Sequence, residues 1–167
     1  MGLVLGVLCC GCILTSSNPL YTRDLVVQLP ELNGTWCTPE DQECYVVKDG
    51  QVSQRPSGAD NPPTKVVFFK IDGFYFMDAE EAQGHSLYHL KWKQDQLFLI
   101  VPSFDWLEAQ VNNGNADMPQ IKCKRDFFGS CVSLADSEEL VKFLRKYKDN
   151  PELFPAGNKG ALRRKVK

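Results

Sequence analysis

The sequence predicts a mainly β fold: an antiparallel meander that forms a small barrel or strongly curved sheet, with one short helix and one C-terminal helix packed outside. The first observation is a pair of consecutive hairpin patterns, whose apolar runs flank turns at Asp72-Gly73 and Gln94-Asp95. Asp-Gly between apolar runs indicates a hairpin because a type I′ turn needs positive φ at both central residues. The second is an apolar stripe at helical spacing after Asp136, which needs an apolar surface to cover.

The first hairpin, residues 65–78, has one wholly apolar face and one mixed face, which carries Lys70 near the turn. Registered on its turn, it places Phe69 opposite Phe76 on one face and Phe68 opposite Met77 on the other. We expect the face of Phe69 to be core and the face of Phe68 and Met77 to be covered by the C-terminal helix.

The second hairpin, Leu87–Lys93 with Gln96–Val101, has one apolar and one polar face. The apolar face pairs Trp92 with Leu97, Leu90 with Leu99 and Tyr88 with Val101. The polar face carries His89, Lys91, Lys93 and Gln96. A further hairpin is predicted around Asp49-Gly50 by the same turn chemistry.

Capping residues place the two helices. Ser103 precedes a helix over Phe104–Asn112, and Asp136 precedes a second helix with Glu139 as its capping-box partner. The stripe of this second helix consists of Leu140, Val141, Phe143, Leu144 and Tyr147. Between the helices we expect two short strands, at Gln120–Lys124 and Cys131–Leu134.

The N-terminus carries an export pattern. Gly2 to Leu14 is apolar; this is too short to span a bilayer, which needs about twenty residues, and suits the apolar region of a secretory signal. Cys9-Cys10-Gly11-Cys12 resembles a bacterial lipobox, which implies a signal peptide over 1–12 and lipid attachment at Cys12. The alternatives are an ordinary cleaved signal and an uncleaved short anchor.

The remaining segments divide simply. We expect a tether over 13–30, the folded domain over 31–155 and a basic tail over 156–167. The tail is interpreted as a solvated end, so that cutting after Gly157 changes stability little, or as a contact with anionic lipid headgroups. Its basic residues are Lys159, Arg163, Arg164, Lys165 and Lys167.

Gly34-Thr35-Trp36 resembles the opening motif of lipocalins and related small barrels. The order of motifs from Leu32 to Phe154 is similar to that of a family of small exported bacterial lipoproteins of unknown function. These motifs are the 68–78 run, Asp105-Trp106-Leu107, Glu139-Leu140, Phe143-Leu144 and Pro151-Glu152-Leu153-Phe154. The resemblance implies a lipocalin-like β-barrel in the cell envelope, on the periplasmic face of the outer membrane, and implies no activity.

Four cysteines follow the N-terminal three. In an exported protein they indicate disulfides, and their short spacings favour Cys37–Cys44 and Cys123–Cys131 among three connectivities. Zinc binding is the alternative, although the close Cys-x-x-Cys pairs of common zinc modules are missing.

Little in the sequence indicates catalysis. His85 and His89 share one face of a predicted strand but lie about 13 Å apart, and we interpret each as structural. The sequence contains no recognised catalytic, metal or cofactor motif, and a net charge of −2 gives no reason to expect nucleic-acid binding. We therefore expect neither a cofactor nor an enzyme.

Six aromatic residues are candidates for the lining of a ligand cavity, or are simply core: Trp36, Phe69, Phe74, Phe76, Tyr88 and Trp92. The leading hypothesis is a non-enzymatic, membrane-anchored envelope lipoprotein that binds a small apolar ligand or an envelope protein. The alternatives are a structural outer-membrane component and an unrecognised hydrolase. A wide interior would favour ligand binding, a filled one the structural role, and a cleft that joins His85 to acidic residues the hydrolase.

Overall fold

A computed structural model describes residues 13–39, 43–55, 62–125, 129–157 and 159–165. Within them, the chain forms eleven strands and two α-helices, with short 3-10 turns at Arg23–Leu25 and Pro30–Leu32. The strands are Ile13–Ser16 (β1), Gly34–Cys37 (β2), Cys44–Lys48 (β3), Gln51–Arg55 (β4), Thr64–Ile71 (β5), Phe74–Glu81 (β6), Gly84–Lys93 (β7), Gln96–Ile100 (β8), Ile121–Lys124 (β9), Ser130–Ser133 (β10) and Lys159–Arg164 (β11). The helices are Phe104–Asn112 (α1) and Ser137–Tyr147 (α2).

Eight strands close into an antiparallel barrel, in the order β6-β5-β4-β3-β2-β11-β8-β7 with β7 pairing back onto β6. The predicted mainly β barrel is therefore confirmed. The hairpin registers are confirmed as well, with Phe69 opposite Phe76 and Leu90 opposite Leu99.

A three-stranded ribbon, β1-β10-β9, extends the sheet from the first half of β7, where Ser16 pairs with His85. Gly84 makes this junction feasible. Its φ is +125°, and a Cβ there would lie 2.3 Å from the Ser16 carbonyl oxygen, a distance no side chain tolerates. Strand β1 of the ribbon pairs with β7 of the barrel, so the ribbon and the barrel form one continuous sheet.

The two faces of the barrel wall bury separate apolar clusters. The interior cluster contains Phe68, Met77 and Leu99. The outer cluster contains Phe69 and Phe76 together with Phe143 and the other buried residues of α2. The expectation that α2 covers the face of Phe68 and Met77 is wrong. That face lies inside because Met77 pairs with Tyr88 of β7, so α2 packs on the opposite one.

Both predicted helices form where their caps place them. Ser103 Oγ accepts a hydrogen bond from the Trp106 N–H at 3.3 Å, and Asp136 Oδ1 accepts one from the Glu139 N–H at 2.9 Å. The stripe of α2 buries Leu140, Val141, Phe143 and Leu144, so the C-terminal helix packs outside the barrel as predicted.

Residues 13–30 do not form a free tether. Leu14 and Leu20 are fully buried in the outer cluster, and the Leu20 N–H donates to Asp78 Oδ2 at 2.8 Å. Val27 N–H donates to the Phe68 carbonyl at 2.9 Å. This segment is part of the domain because its apolar residues complete the outer core.

Residues 156–167 do not form a free tail either. Strand β11 joins β2 to β8 and so closes the barrel, with Leu162 buried in the interior. The Arg164 guanidinium lies 4.3 Å from the centroid of the Trp36 ring and donates to the Asn33 carbonyl at 2.9 Å. The expectation that the chain can be cut after Gly157 without loss is therefore wrong, since a barrel strand would be removed. Val166 and Lys167 lie outside the described residues.

Both favoured disulfides are present. Cys37–Cys44 links opposed residues of β2 and β3, and Cys123–Cys131 links opposed residues of β9 and β10. Since all four thiols are consumed, the zinc alternative for these cysteines is wrong. The first disulfide fastens the barrel and the second fastens the ribbon.

Candidate functional site

The barrel interior is filled by its own side chains. Its cavity measures only about 20 Å³, close to the space of a single water molecule. The side chains that fill it are Leu32, Trp36, Tyr45, Val47, Val52, Phe68, Met77, Leu90, Leu97, Leu99 and Leu162. An interior ligand site is therefore excluded in this conformation, and by the criterion above the interior favours the structural alternative.

The six aromatic residues predicted to line one cavity do not lie together. Trp36 and Tyr88 are buried in the interior cluster, with Trp92 packed at its edge. Phe69 and Phe76 are buried in the outer cluster, with Phe74 at its edge. The prediction fails because it mixed residues from both faces of the same strands.

An open cleft of about 450 Å³ lies on the outside of the barrel, a volume in the range of small-molecule sites. Its floor is the outer face of β7 and β8, where His89 pairs with Ile100 and Lys91 pairs with Phe98. This cleft is named the outer cleft. Its complete lining is Phe74, His89, Lys91, Trp92, Lys93, Phe98, Ile100, Lys148, Asp149, Asn150, Pro151, Phe154 and Ala156.

The opposite wall of the outer cleft is the loop that follows α2. Asn150 holds this loop, because its Oδ1 accepts the backbone N–H groups of Glu152 and Leu153 at 2.7 and 3.3 Å. Leu153 is fully buried, and its carbonyl accepts the Ser103 N–H at 2.7 Å. The wall that presents Phe154 to the cleft is therefore fixed at both ends.

His89 is the polar residue of the cleft floor. It is only 3% exposed and contacts three aromatic rings, with centroids 5.0 Å from Phe76, 5.0 Å from Phe154 and 5.8 Å from Phe74. Its Nδ1 is buried without a hydrogen-bond partner among the described residues. Burial, reinforced by the Lys91 charge, lowers the pKa of His89 to about 4, so the ring is neutral at neutral pH.

The rim of the cleft is cationic. Lys148 is already engaged, since its Nζ lies 3.5 Å from Asp72 Oδ2 and donates to the Arg145 carbonyl at 2.8 Å. Lys91 and Lys93 are exposed, and neither forms a salt bridge within the described part of the chain. One carboxylate, Asp149, also lines the cleft.

His85 and Asp78 form a separate pair on the same outer wall. His85 Nδ1 lies 2.8 Å from Asp78 Oδ1. Asp78 is 1% exposed, and its burial raises the pKa of its carboxyl group despite the hydrogen bonds from Leu20 and His85. The hydroxyl of Ser16, which pairs with His85 in the sheet, is buried and accepts the Asn18 N–H. Through the hydrogen bond from the Leu20 N–H to Asp78, the pair holds the N-terminal segment against the barrel wall.

No family model, curated protein or solved structure matches the chain. The function must therefore be argued from the site itself.

Two further observations limit the chemistry. Among the residues that the structure describes, no group of three or more His, Cys, Asp or Glu side chains is placed to hold a metal ion. No helix in this part of the chain is long and apolar enough to cross a membrane. The lipobox resemblance at Cys12 lies outside the described residues. The outer cleft is one concave site of the described residues in which apolar side chains, lysines and a buried histidine converge.

Proposed function

We propose that this chain is a non-enzymatic, exported binding protein of the bacterial cell envelope, anchored by a lipid and holding a small apolar ligand in the outer cleft. The observation that supports it is the cleft itself. It offers an apolar surface, with Phe98 and Ile100 on its floor and Phe154 on its opposite wall, beside a filled barrel. The ligand site thus lies on the outside of the barrel wall.

A neutral alcohol tests this proposal without involving the lysines. We expect dodecanol to bind the full chain saturably, and Phe98→Ser to weaken that binding by about tenfold, because an apolar contact worth about 1.4 kcal/mol changes affinity by that factor. Phe98 is half-buried, so the fold should tolerate the change. Calorimetric titration measures the affinity.

Val132→Ser is the matched control. Val132 is 39% exposed on the ribbon and is not part of the cleft lining. Its substitution should leave dodecanol affinity unchanged. A protein that does not bind dodecanol, or equal losses in the two variants, would contradict ligand binding in the outer cleft.

The membrane anchor rests on the Cys9-Cys10-Gly11-Cys12 pattern. Because β1 begins at Ile13 and no free tether follows, a lipid on Cys12 would bring the barrel directly against the membrane surface. We expect Cys12→Ser to move the protein from the membrane to the soluble fraction of a bacterial host, as judged by immunoblotting. Cys9→Ser is the control and should stay in the membrane; retention of Cys12→Ser would refute the anchor.

The filled interior supports one second candidate, a structural envelope component without a small ligand. In that case the outer cleft would be a surface depression, and dodecanol would not bind saturably. The same titration therefore separates the two functions.

A further inference from the structure

We propose that the ligand of the outer cleft is an amphiphile with a single carboxylate head, which lies between Lys91 and His89, and an apolar body, which lies on the aromatic floor. This inference rests on the proposed function, because it names the class of ligand for the same cleft. Phe98 and Phe154 provide the surface for the apolar body.

The position of the head follows from the unpaired charges. Lys148 is held by Asp72 and the Arg145 carbonyl, whereas Lys91 and Lys93 form no salt bridge within the described residues. Three lysines against the single carboxylate of Asp149 leave the lining cationic. An anionic group is therefore favoured at the rim by charge complementarity.

The second partner of the head is His89. It lies two residues from Lys91 on β7, so both side chains project from the same face of the strand. A neutral imidazole has one N–H donor and one acceptor, and the His89 ring lines the cleft. A carboxylate has two acceptor oxygens, one for the Lys91 ammonium group and one for an imidazole N–H on the side of the ring that lines the cleft.

The size of the cleft sets the length of the body. At about 30 Å³ for each water-sized group, a volume of about 450 Å³ accommodates on the order of fifteen non-hydrogen atoms. A saturated fatty acid of medium length such as dodecanoate is close to that size. Its chain would bury apolar surface against Phe98, Ile100 and Phe154.

The experiment compares dodecanoate with dodecanol, which have the same chain and differ in the head. Calorimetric titration of the full chain near neutral pH, with each ligand below its micelle-forming concentration, should show dodecanoate binding about tenfold more tightly. Lys91→Gln should abolish this preference by weakening dodecanoate about tenfold, because a charge-assisted hydrogen bond is lost. Dodecanol affinity should not change in this variant.

One control and one further variant make the result specific. Lys122→Gln removes the same charge from an exposed position on the ribbon and should leave dodecanoate affinity unchanged. His89→Phe keeps an aromatic ring against Phe76 and Phe154 but removes the ring N–H, and should weaken dodecanoate alone.

The outcomes separate this inference from the proposed function. Equal binding of dodecanoate and dodecanol, an unchanged dodecanoate affinity in Lys91→Gln or His89→Phe, or an equal loss in Lys122→Gln would overturn the carboxylate head while apolar binding stands. Binding of neither ligand would overturn both.

Discussion

At the scale of single residues, His89 best links the packing of this protein to its proposed function. It faces outward from β7, where an exposed polar residue is the usual choice, yet it is buried by Phe76 and by Phe154 from the loop after α2. Burying a polar atom without a hydrogen bond costs free energy. The structure accepts this cost at a position that lines the cleft, and local compromises of this kind are expected at functional sites.

The titration of His89 gives a pH prediction. Its pKa is about 4 in the folded protein against 6.5 ordinarily, so the native state favours the neutral ring. The contribution of His89 to the free energy of unfolding is complete above about pH 6.5. It is lost as the pH falls through the pKa that His89 has in the folded protein. The difference between a pKa of 6.5 and one of about 4 corresponds to about 3 kcal/mol. Urea unfolding at about pH 7 and about pH 4 measures this loss. Between the two pH values, the free energy of unfolding of the wild type should fall by about 3 kcal/mol more than that of His89→Phe. Equal losses of stability in the wild type and in His89→Phe would contradict a buried, neutral His89 ring.

Individual residues were also the scale at which the sequence was most informative. The cysteine pairs and both helix N-caps follow from local spacing, and the structure contains each of them. The partners of His85 and His89 were not predictable. Asp78 and Phe154 meet these rings through sheet pairing and through the loop after α2, neither of which leaves a local signal.

At the scale of elements, the hairpins, both helices and the short strands β9 and β10 were predictable, whereas the terminal strands β1 and β11 were not. Asp72 and Gln94 adopt positive φ of 48° and 52° in their turns, as the turn chemistry required. Strand β11 was missed because it places a single apolar residue, Leu162, in the interior among basic neighbours, so its alternation resembles a charged tail. Strand β1 was missed because its apolar residues continue the export pattern.

The register between the two hairpins decides which face lies inside. The β6–β7 turn pairs Glu81 with Gly84, and this places Met77 opposite Tyr88 and Phe76 opposite His89. Both faces of β5 and β6 are apolar, so the hydrophobic pattern alone could not choose between them. The polar face of β7 could have done so. The face of Phe76 continues into His89 and Lys91 and is therefore the outer face, which α2, its following loop and the N-terminal segment cover.

At the scale of the whole molecule, the barrel is a scaffold and the cleft is built on its surface. Eight short strands enclose an interior that their own side chains fill, as small barrels often do. The proposed ligand site is therefore the place where α2 leaves the wall and its following loop faces β7 and β8. The sequence could not predict this site, because Phe98 and Phe154 converge only after the barrel has closed and α2 has docked.

The central claim is that ligand binds outside a filled barrel. The most direct test is the map of backbone and side-chain NMR shifts of the full chain on addition of dodecanol. We predict that the signals of His89, Phe98 and Phe154 move together to saturation, while those of the interior residues Trp36 and Leu99 stay in place. Phe98 and Leu99 are neighbours on opposite faces of β8, so the comparison is internal to one strand. Shifts concentrated at Trp36 and Leu99, with Phe98 unmoved, would show that the barrel opens to hold its ligand and would contradict this account.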